Sequence, residues 1–199
     1  EFKMRIIAGK FKAKKINGPK TKDTRPTLDR VKEALFSIID KKIQDARVLD
    51  LFSGTGNLGL ESISRGAKFA LLNDSKPASI STIIQNVKLT CASLYVKISK
   101  KDYIKCLNQI IKDNETFDVI FLDPPYDSNL GINSLKFISD NKNKVLSKDG
   151  IIIYETDKNF ILKLKKKATE TVLDDFENLE CYDKRHYGNV VLRLYRWRE

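Results

Sequence analysis

An aspartate, two prolines and a tyrosine end an apolar run in FDVIFLDPPY, at residues 123–126. Each proline fixes φ and lacks an N–H, and Pro125 pushes Pro124 towards an extended backbone. The segment therefore predicts a stiff loop with almost no donors, whose carbonyl acceptors are unclaimed by local hydrogen bonds. Such a loop suits a substrate group that is rich in donors, such as the exocyclic amino group of a nucleobase.

The nitrogen of such an amino group is a poor nucleophile, because its lone pair is delocalised into the ring. We expect Asp123 and the Pro124 carbonyl to accept its two hydrogens and hold the lone pair towards an electrophile, so that positioning does most of the work. Tyr126 would stack on a base that has left its own stack, a contact worth about 1–3 kcal/mol. The alternative is a proline-stiffened turn that only covers a sheet.

A glycine-rich stretch, Gly54-Thr-Gly56-Asn-Leu-Gly59, follows an earlier apolar run. Glycines permit a tight turn and the close approach of a ligand, and a following helix directs its N–H groups at that ligand. The motif fits a dinucleotide, S-adenosylmethionine or a tight turn with no ligand. Asp50 favours S-adenosylmethionine, because a carboxylate attracts an α-ammonium and repels a pyrophosphate. Asp50 can equally cap the amides of the loop.

Two more acids stand where the next strands end. Asp74 comes twenty residues after Gly54, a spacing that suits a carboxylate bound to ribose hydroxyls. Asp102 can accept a hydrogen bond from an adenine amino group, can N-cap a helix that begins at Tyr103, or can do both. These acids fit any ligand that contains adenosine.

Alternating strand and helix patterns must position these residues. Apolar runs cover 48–52, 69–73, 94–98, 117–123 and 150–155, and helical patterns lie near 58–65, 77–90, 103–112 and 132–146. The alternation predicts an α/β fold with a parallel sheet covered on both faces, where ligands bind at the carboxyl ends of the strands. In the tail, residues 169–182 and 187–197 predict two antiparallel strands around KRHYGN.

The N-terminal segment has a different pattern. Residues 4–17 predict a small β-hairpin around Gly9 and Lys10, and residues 18–26 predict a basic connector. From Thr27, a suitable N-cap, apolar residues recur at helical spacing, and Lys32 is assigned to another face. We therefore predict a basic arm over residues 1–26 and a catalytic domain over residues 27–199.

The charge is concentrated in the first part of the chain. The net charge is +11, and residues 1–32 carry eleven Lys and Arg against three acids, a net of +8. A basic arm beside a nearly balanced body indicates a polyanionic partner, most often nucleic acid, although general lysine richness for solubility is the simpler explanation. With no apolar run of about 18 residues, no secretory signal, and three cysteines without metal spacing, we expect a cytoplasmic protein without a metal.

Five segments together resemble one bacterial-type family. They are MRIIAGKFK (4–12), DTRPTLDRVKEALF (23–36), VLDLFSGTGNLGLESISRGA (48–67), FDVIFLDPPY (117–126) and YGNVVLRLYR (187–196). This combination resembles the 16S rRNA guanine(966)-N2 methyltransferases over about residues 4–196. The TRPT-x-DRV-x-EALF segment is far more specific than the glycine motif or D-P-P-Y.

The resemblance implies a Rossmann-like class I methyltransferase fold. It has a mostly parallel seven-stranded sheet, helices on both faces, a C-terminal antiparallel hairpin and a small N-terminal hairpin. The implied reaction transfers a methyl group from S-adenosylmethionine to the N2 amino group of a guanine in 16S ribosomal RNA. The implied partner is ribosomal RNA, the small subunit or an assembly intermediate, and we expect a monomer that does not bind a membrane.

The resemblance also assigns residues. Chemistry falls at Asp123, Pro124, Pro125 and Tyr126, and Arg25, Pro26 and Thr27 lie beside the active cleft. Cofactor contacts fall at Asp50, Phe52, Gly54, Gly56, Asp74 and Asp102. The candidates for RNA phosphate contacts are Arg5, Lys10, Lys12, Arg25 and Arg30, since Lys-heavy charge suits backbone contact more than base reading.

Departures and alternatives stay open. The family usually ends its second strand with Glu, whereas this chain has Asn73 and Asp74, and Asn57 replaces a common alanine. A DNA adenine-N6 methyltransferase is the main alternative, because D-P-P-Y serves both amino groups. An NAD-dependent dehydrogenase and a non-catalytic RNA-binding module are the others. His186 and Glu155 can contact or orient a substrate, and the chemistry requires neither.

Overall fold

The computed structural model describes residues 3–18, 27–125, 128–166, 173–174 and 176–199. The chain forms two compact units, Glu1–Cys106 and Leu107–Glu199. The predicted division between residues 26 and 27 stays a prediction, because residues 19–26 lie outside the described ranges.

The first unit begins with a hairpin and continues with alternating helices and strands. Strands β1 (Lys3–Arg5) and β2 (Lys15–Asn17) pair antiparallel, which confirms the predicted N-terminal hairpin. The elements that follow are α1 (Thr27–Ile38), α2 (Asp40–Ile43), β3 (Arg47–Asp50), α3 (Asn57–Ser64), β4 (Phe69–Asn73), α4 (Pro77–Thr90), β5 (Val96–Ser99) and α5 (Tyr103–Lys112). β3, β4 and β5 are parallel neighbours, so their carboxyl ends meet at one edge.

The second unit carries the remaining strands. Its elements are β6 (Phe117–Leu122), α6 (Leu130–Asp140), β7 (Leu146–Asp157), α7 (Lys158–Lys166), β8 (Leu179–Tyr187) and β9 (Val190–Trp197). β6 and β7 are parallel, and β7, β9 and β8 form antiparallel pairs. The larger sheet has the strand order β5-β4-β3-β6-β7-β9-β8. This confirms the predicted α/β fold with a mostly parallel seven-stranded sheet and an antiparallel C-terminal hairpin.

Continuous apolar strands are buried on both faces. Val119, Ile120, Phe121 and Leu122 in β6 are all at most 1% exposed. A parallel strand that is covered on both sides shows this continuous pattern, whereas a half-buried strand alternates. The predicted parallel strands are therefore found in their expected places.

Two element predictions are wrong, and one helix was missed. The fourth helix ends at Asp140, and Leu146 belongs to β7, so the predicted range 132–146 runs too far. The turn of the tail hairpin is Gly188-Asn189, and the Lys184–His186 part of KRHYGN lies inside β8. Helix α7, which contains the basic run at 163–166, was not predicted. Lys184, Arg185 and His186 are exposed on β8, and such a run of exposed polar residues has the composition of a turn.

Candidate active site

The glycine-rich loop joins β3 to α3 through two residues with positive φ. Gly54 has φ of 56° and Gly56 has φ of 80°, and Gly56 is the residue before the helix. A Cβ on Gly54 would meet no atom within 4 Å, so the loop has open space beside it. A Cβ on Gly59 would lie 2.1 Å from a Leu72 methyl carbon, so this glycine lets α3 approach β4. The loop thus combines a tight turn with room for a ligand.

Asp50 caps the helix that follows the loop. It is 1% exposed, and its Oδ2 accepts a hydrogen bond of 3.1 Å from the Gly59 N–H. Its backbone carbonyl accepts a hydrogen bond from the Ser53 hydroxyl at 2.8 Å. The local capping role is therefore present. A carboxylate has about four acceptor positions, so this cap is compatible with a further contact to a ligand ammonium.

Asp74 follows β4 and binds the glycine loop. Its Oδ2 accepts from the Gly54 N–H at 3.0 Å, and its Oδ1 accepts from the Lys76 N–H at 2.8 Å. The loop conformation thus depends on the acid that the sequence assigned to the ribose. Asp74 is half-buried, so the remaining lone pairs are accessible from solvent.

The neighbouring Asn73 ties three strand ends together. Its Nδ2 donates to the Leu51 carbonyl at 3.1 Å and to the Lys101 carbonyl at 3.0 Å, and its own carbonyl accepts from the Ser53 N–H. The side chain is buried, and within the described structure its Oδ1 has no hydrogen-bond partner. Sequence reasoning noted Asn73 only as a departure from the family pattern. Its amide fixes the edge on which the acids stand.

Asp102 directly precedes α5 and caps it, as the capping alternative predicted. Its Oδ1 accepts from the Ile104 N–H at 3.0 Å, and its carboxylate is exposed. The next residue, Tyr103, places its ring centroid 6.1 Å from that of Phe52, at an interplanar angle of 34°. Phe52 follows β3, so two half-buried aromatic rings and an exposed carboxylate lie at the same edge of this unit.

The residues of this edge fit S-adenosylmethionine. The ligand carries an ammonium, ribose hydroxyls and an adenine amino group, all of which are hydrogen-bond donors. The edge offers three carboxylates and the unpartnered Asn73 Oδ1 as acceptors, together with the open space at Gly54. The same carboxylates would repel a pyrophosphate, because both groups are negatively charged. These acceptors on the protein therefore favour a cationic ligand that contains adenosine over NAD.

In the second unit, Asp123 and Pro124 directly follow β6. Burial raises the pKa of the Asp123 carboxyl to about 6, and Pro124 is buried while Pro125 is exposed. Among the described residues, the structure shows no hydrogen bond to the Asp123 carboxylate or the Pro124 carbonyl. The prediction of unclaimed carbonyls is wrong for Pro125, whose oxygen accepts from the Ser128 hydroxyl at 2.6 Å. That hydrogen bond links Ser128 to the second proline.

A pocket lies beside the proline loop, within the second unit. Its empty volume is about 190 Å³, part of it open to solvent. The lining residues are Pro124, Pro125, Ser128, Tyr154, Glu155, Thr156, Asp157 and Phe160. Burial raises the pKa of Tyr154, and the Asp123 charge adds to this effect. Tyr126, the predicted stacking residue, lies outside the described residues, as do Arg25 and Pro26; of Thr27 only the backbone is described.

Sequence reasoning missed a buried ionic cluster beside the glycine loop. Lys32, which was assigned to another face of α1, is 3% exposed, so that assignment is wrong. Its Nζ lies 2.7 Å from Asn57 Oδ1, 2.8 Å from the Arg5 carbonyl and 3.1 Å from Glu61 Oε2. Desolvation lowers the pKa of Lys32, although Glu61 opposes the shift. The polar residue at 57 is thereby explained as the acceptor for this buried ammonium.

Glu61 extends the cluster to the N-terminal hairpin. Its carboxylate accepts from the backbone N–H groups of Ile7 and Ala8, at 2.9 and 3.0 Å, and from Arg65 Nε at 2.8 Å. The carboxylate is fully buried and fully partnered, which fits the rule that buried charges are paired. A lysine, an asparagine and a glutamate at 32, 57 and 61 share no sequence motif, so no local pattern predicts their meeting.

The hairpin also packs on α3 and α4. Asn86 is fully buried, accepts from the Asn17 N–H at 2.8 Å and donates to the carbonyls of Asn17 and Thr55. Gly9 has φ of 80°, and a Cβ there would lie 1.8 Å from the Ser64 carbonyl oxygen. The N-terminal hairpin is thus held by specific contacts to α3, the helix that follows the glycine loop.

The candidate RNA contacts are distributed over the surface of the first unit. Arg5 pairs with Asp29 at 3.0 Å, in an exposed ion pair that is worth little. Lys10 places its Nζ 3.7 Å from the ring centroid of Tyr95, which keeps the lysine exposed but oriented. Lys12 and Arg30 are exposed. Four of the five predicted basic residues are therefore available to a polyanion, and Arg25 lies outside the described residues.

Three further features of the described ranges concern the position of His186, metal sites and membrane spans. His186 is exposed on β8, opposite Val191. No set of three or more His, Cys, Asp or Glu side chains there is placed to hold a metal ion. None of the helices in the same ranges is long and apolar enough to span a membrane.

This chain is similar to known proteins over nearly its whole length. The sequence profile of the family described as conserved hypothetical protein 95 matches residues 4–196. Ribosomal RNA small subunit methyltransferase D of Haemophilus influenzae is 32% identical over 194 residues, 97% of this chain and 93% of that protein. The protein of the same name from Buchnera aphidicola (strain APS) is 32% identical over 181 residues, 90% of this chain and 92% of that protein.

A solved structure extends the likeness to three dimensions. The structure of yhhF from Escherichia coli has a TM-score of 0.79 and 28% identity to this chain. The likeness covers 100% of this chain and 99% of that one. The likeness in fold therefore extends over the length of both chains.

Proposed function

The chain belongs to the family described as conserved hypothetical protein 95, and we propose that it is an S-adenosylmethionine-dependent methyltransferase that acts on the N2 amino group of a guanine in small-subunit ribosomal RNA. Relatives named ribosomal RNA small subunit methyltransferase D support the ribosomal RNA methyltransferase activity. The observation that carries the chemistry is the loop at Asp123 and Pro124, which offers a carboxylate and a carbonyl that accept no hydrogen bond from the described residues.

The methyl donor is assigned to the first unit. Asp50 would hold the ammonium, Asp74 and Asn73 the ribose, and Asp102 the adenine amino group, beside the ring of Phe52. The open space at Gly54 and the loop that Gly56 turns would admit the ligand. S-adenosylmethionine supplies an electrophilic methyl group on a sulfonium. The acids and the glycine loop bind and orient this group.

The target amino group is assigned to the second unit. Asp123 and the Pro124 carbonyl accept its hydrogens, so that the nitrogen lone pair points away from them. As the new N–C bond forms and the C–S bond breaks, the electron pair of that bond stays on sulfur and the nitrogen gains positive charge. The Asp123 carboxylate, with a pKa of about 6, accepts the released proton at neutral pH and passes it to water.

The basic surface of the first unit supplies affinity for RNA. Lys12 and Arg30 are exposed, and Lys10 stands over the Tyr95 ring. Contacts to phosphates are independent of sequence and weaken with salt. We propose that the partner is ribosomal RNA within a small-subunit particle and that the protein acts as a cytoplasmic monomer. Sedimentation of the free protein at micromolar concentration tests the monomeric state.

One experiment tests the proposed function directly. The purified protein is incubated with S-adenosylmethionine and small-subunit particles from a strain that lacks the gene, and the RNA nucleosides are resolved by mass spectrometry. We expect one N2-methylguanosine for each particle and no product with Asp123→Ala. Production of N6-methyladenosine instead, or no methylation at all, would refute the proposal.

Two further measurements separate the alternatives. Duplex DNA in the same assay tests a DNA adenine-N6 methyltransferase, which would yield N6-methyladenine. Calorimetric titration with S-adenosylmethionine and with NAD tests a dehydrogenase, and binding of NAD alone would contradict our assignment. If the protein is a non-catalytic RNA-binding module, the wild type and the Asp123→Ala variant will bind RNA equally well, and neither will show turnover.

A further inference from the structure

The pocket beside the proline loop has two chemically different walls. Pro124, Pro125 and Phe160 are apolar, whereas Glu155 and Asp157 carry carboxylates. Apolar side chains suit the face of a base, and acceptors suit an edge that carries donors. The pocket therefore has the chemical character expected for a flipped purine.

Asp157 is held rigidly at the polar wall. It is 8% exposed, and its Oδ1 accepts from the Asn159 N–H at 2.7 Å, so it caps the start of α7. Its backbone is fixed by pairing with Val190 in β9, and the next N–H, from Lys158, donates to the Asn189 carbonyl at 2.8 Å. Glu155 has a longer side chain and is half-buried. Recognition needs fixed groups, and Asp157 meets this requirement.

The strand register places Asp157 near Asp123. Leu122 at the end of β6 pairs with Tyr154 in β7. Asp123 stands one residue beyond that pair and Asp157 stands three residues beyond it, on the adjacent strand. Strand spacing and rise then put their Cα atoms roughly 8 Å apart. Two carboxylates at this separation can contact neighbouring donors on one edge of a base.

Guanine and adenine differ on that edge. Guanine presents two adjacent donor groups, N1–H and the N2 amino group, whereas adenine presents an amino group next to N1, which is an acceptor. Building on the proposed function, we propose that Asp157 selects guanine by accepting its N1–H, while Asp123 and Pro124 take the amino hydrogens. A base with an unprotonated N1 would set its lone pair against a buried carboxylate. A site built to bind one such hydrogen rejects the analogue that lacks it by about 10⁴-fold or more.

The test uses an RNA fragment that the wild-type protein methylates, with either guanine or 2-aminopurine at the target position. 2-Aminopurine keeps the N2 amino group and has an acceptor at N1. The key variant is Asp157→Asn, because asparagine caps helices as well as aspartate and offers an N–H₂ donor with its other atom. The matched control is Glu155→Gln, which changes the other carboxylate of the same wall.

We expect the wild type to prefer guanine by at least 100-fold in kcat/KM. Asp157→Asn should lower kcat/KM for guanine by at least 100-fold and raise the ratio of 2-aminopurine to guanine turnover by at least 10-fold. Its affinity for S-adenosylmethionine, measured by calorimetry, should stay within about twofold. Glu155→Gln should keep the wild-type preference.

Several results would overturn the inference. They are equal wild-type turnover of both bases, a proportional loss of both in Asp157→Asn, and a change of preference in Glu155→Gln in place of Asp157→Asn. The wild-type comparison stands even if the variant does not fold. The proposed function fails separately, if the wild type methylates no guanine N2 in small-subunit RNA.

Discussion

The Nζ atom of Lys32 lies 2.7 Å from Oδ1 of Asn57, and both side chains are buried. Lys32 belongs to α1, and Asn57 is the first residue of α3, directly after the glycine loop. The contact therefore ties the helix of the family-specific TRPT-x-DRV-x-EALF segment to the loop that we assign to the methyl donor. Since Glu61 joins the same ammonium to the N-terminal hairpin, three segments share one buried charge.

Replacing Lys32 should destabilise the protein strongly. Lys32→Met keeps much of the volume but leaves the Glu61 carboxylate without one of its two cations. Removing one partner of a buried pair costs about 3–5 kcal/mol. We expect a loss in this range in the free energy of unfolding, measured with urea. Lys41→Met, on the exposed side of α2, is the control and should change it by less than about 0.5 kcal/mol.

The pH dependence of turnover should follow Asp123. Its carboxylate must be ionised to accept hydrogens, and burial raises its pKa to about 6. kcat/KM should therefore be constant above pH 7 and fall about tenfold per pH unit below 6. Asp123→Asn retains one acceptor oxygen but has no proton to gain, so its lower activity should lose this acidic limb. A limb near pH 6 that persists in the variant would contradict the assignment.

Asp74 should control the affinity for S-adenosylmethionine. Asp74→Ala removes the acceptor for the N–H groups of Gly54 and Lys76, so it disturbs the glycine loop as well as the proposed ribose contact. Charge-assisted hydrogen bonds are worth about 1.5–3 kcal/mol, which predicts a Kd at least tenfold higher by calorimetry. Asp113→Ala, an exposed acid at the end of α5, should leave Kd unchanged. Equal affinities in both variants would refute the role.

Gly9 should be intolerant of a side chain. Gly9→Ala combines a φ of 80° with a Cβ that would lie 1.8 Å from a backbone oxygen of α3, so the hairpin must move. Gly188→Ala is a matched control, because Gly188 has φ of 59° and open space around its Cβ. The control should cost about 1–2 kcal/mol in unfolding free energy. Gly9→Ala should cost clearly more and should expose the hairpin to proteases, and equal costs would contradict the packing.

RNA affinity should depend on salt through the exposed basic residues. The double variant Lys12→Gln, Arg30→Gln removes two cations that have no part in the buried cluster. If both contact phosphates, the slope of log affinity against log salt should become shallower by about 1.5–2. Lys184→Gln and Arg185→Gln, on exposed β8, serve as the charge-matched control. An unchanged slope in the first variant would assign the phosphate contacts elsewhere.

Local patterns were sufficient where burial on both faces or a stiff backbone decided the structure. The runs at 69–73 and 117–122 became β4 and β6 because a continuous apolar strand is stable only inside a covered sheet. The glycines at 54 and 56 have the positive φ that their spacing suggested. Prediction was wrong along β8, because its consecutive polar residues at 183–186 give no apolar signal that would distinguish this strand from a turn.

By itself the sequence determined the parallel strands with the helices between them, the acids at the strand ends and the proline loop, because each depends on residues close together in the chain. Only the tertiary structure decided which groups meet over long separations. Lys32 reaches Asn57 and Glu61, Asn73 reaches Lys101, and Pro124 shares a pocket with Asp157. The polar contacts among these form because a buried polar group must find a partner, and the fold rather than the local sequence supplies it.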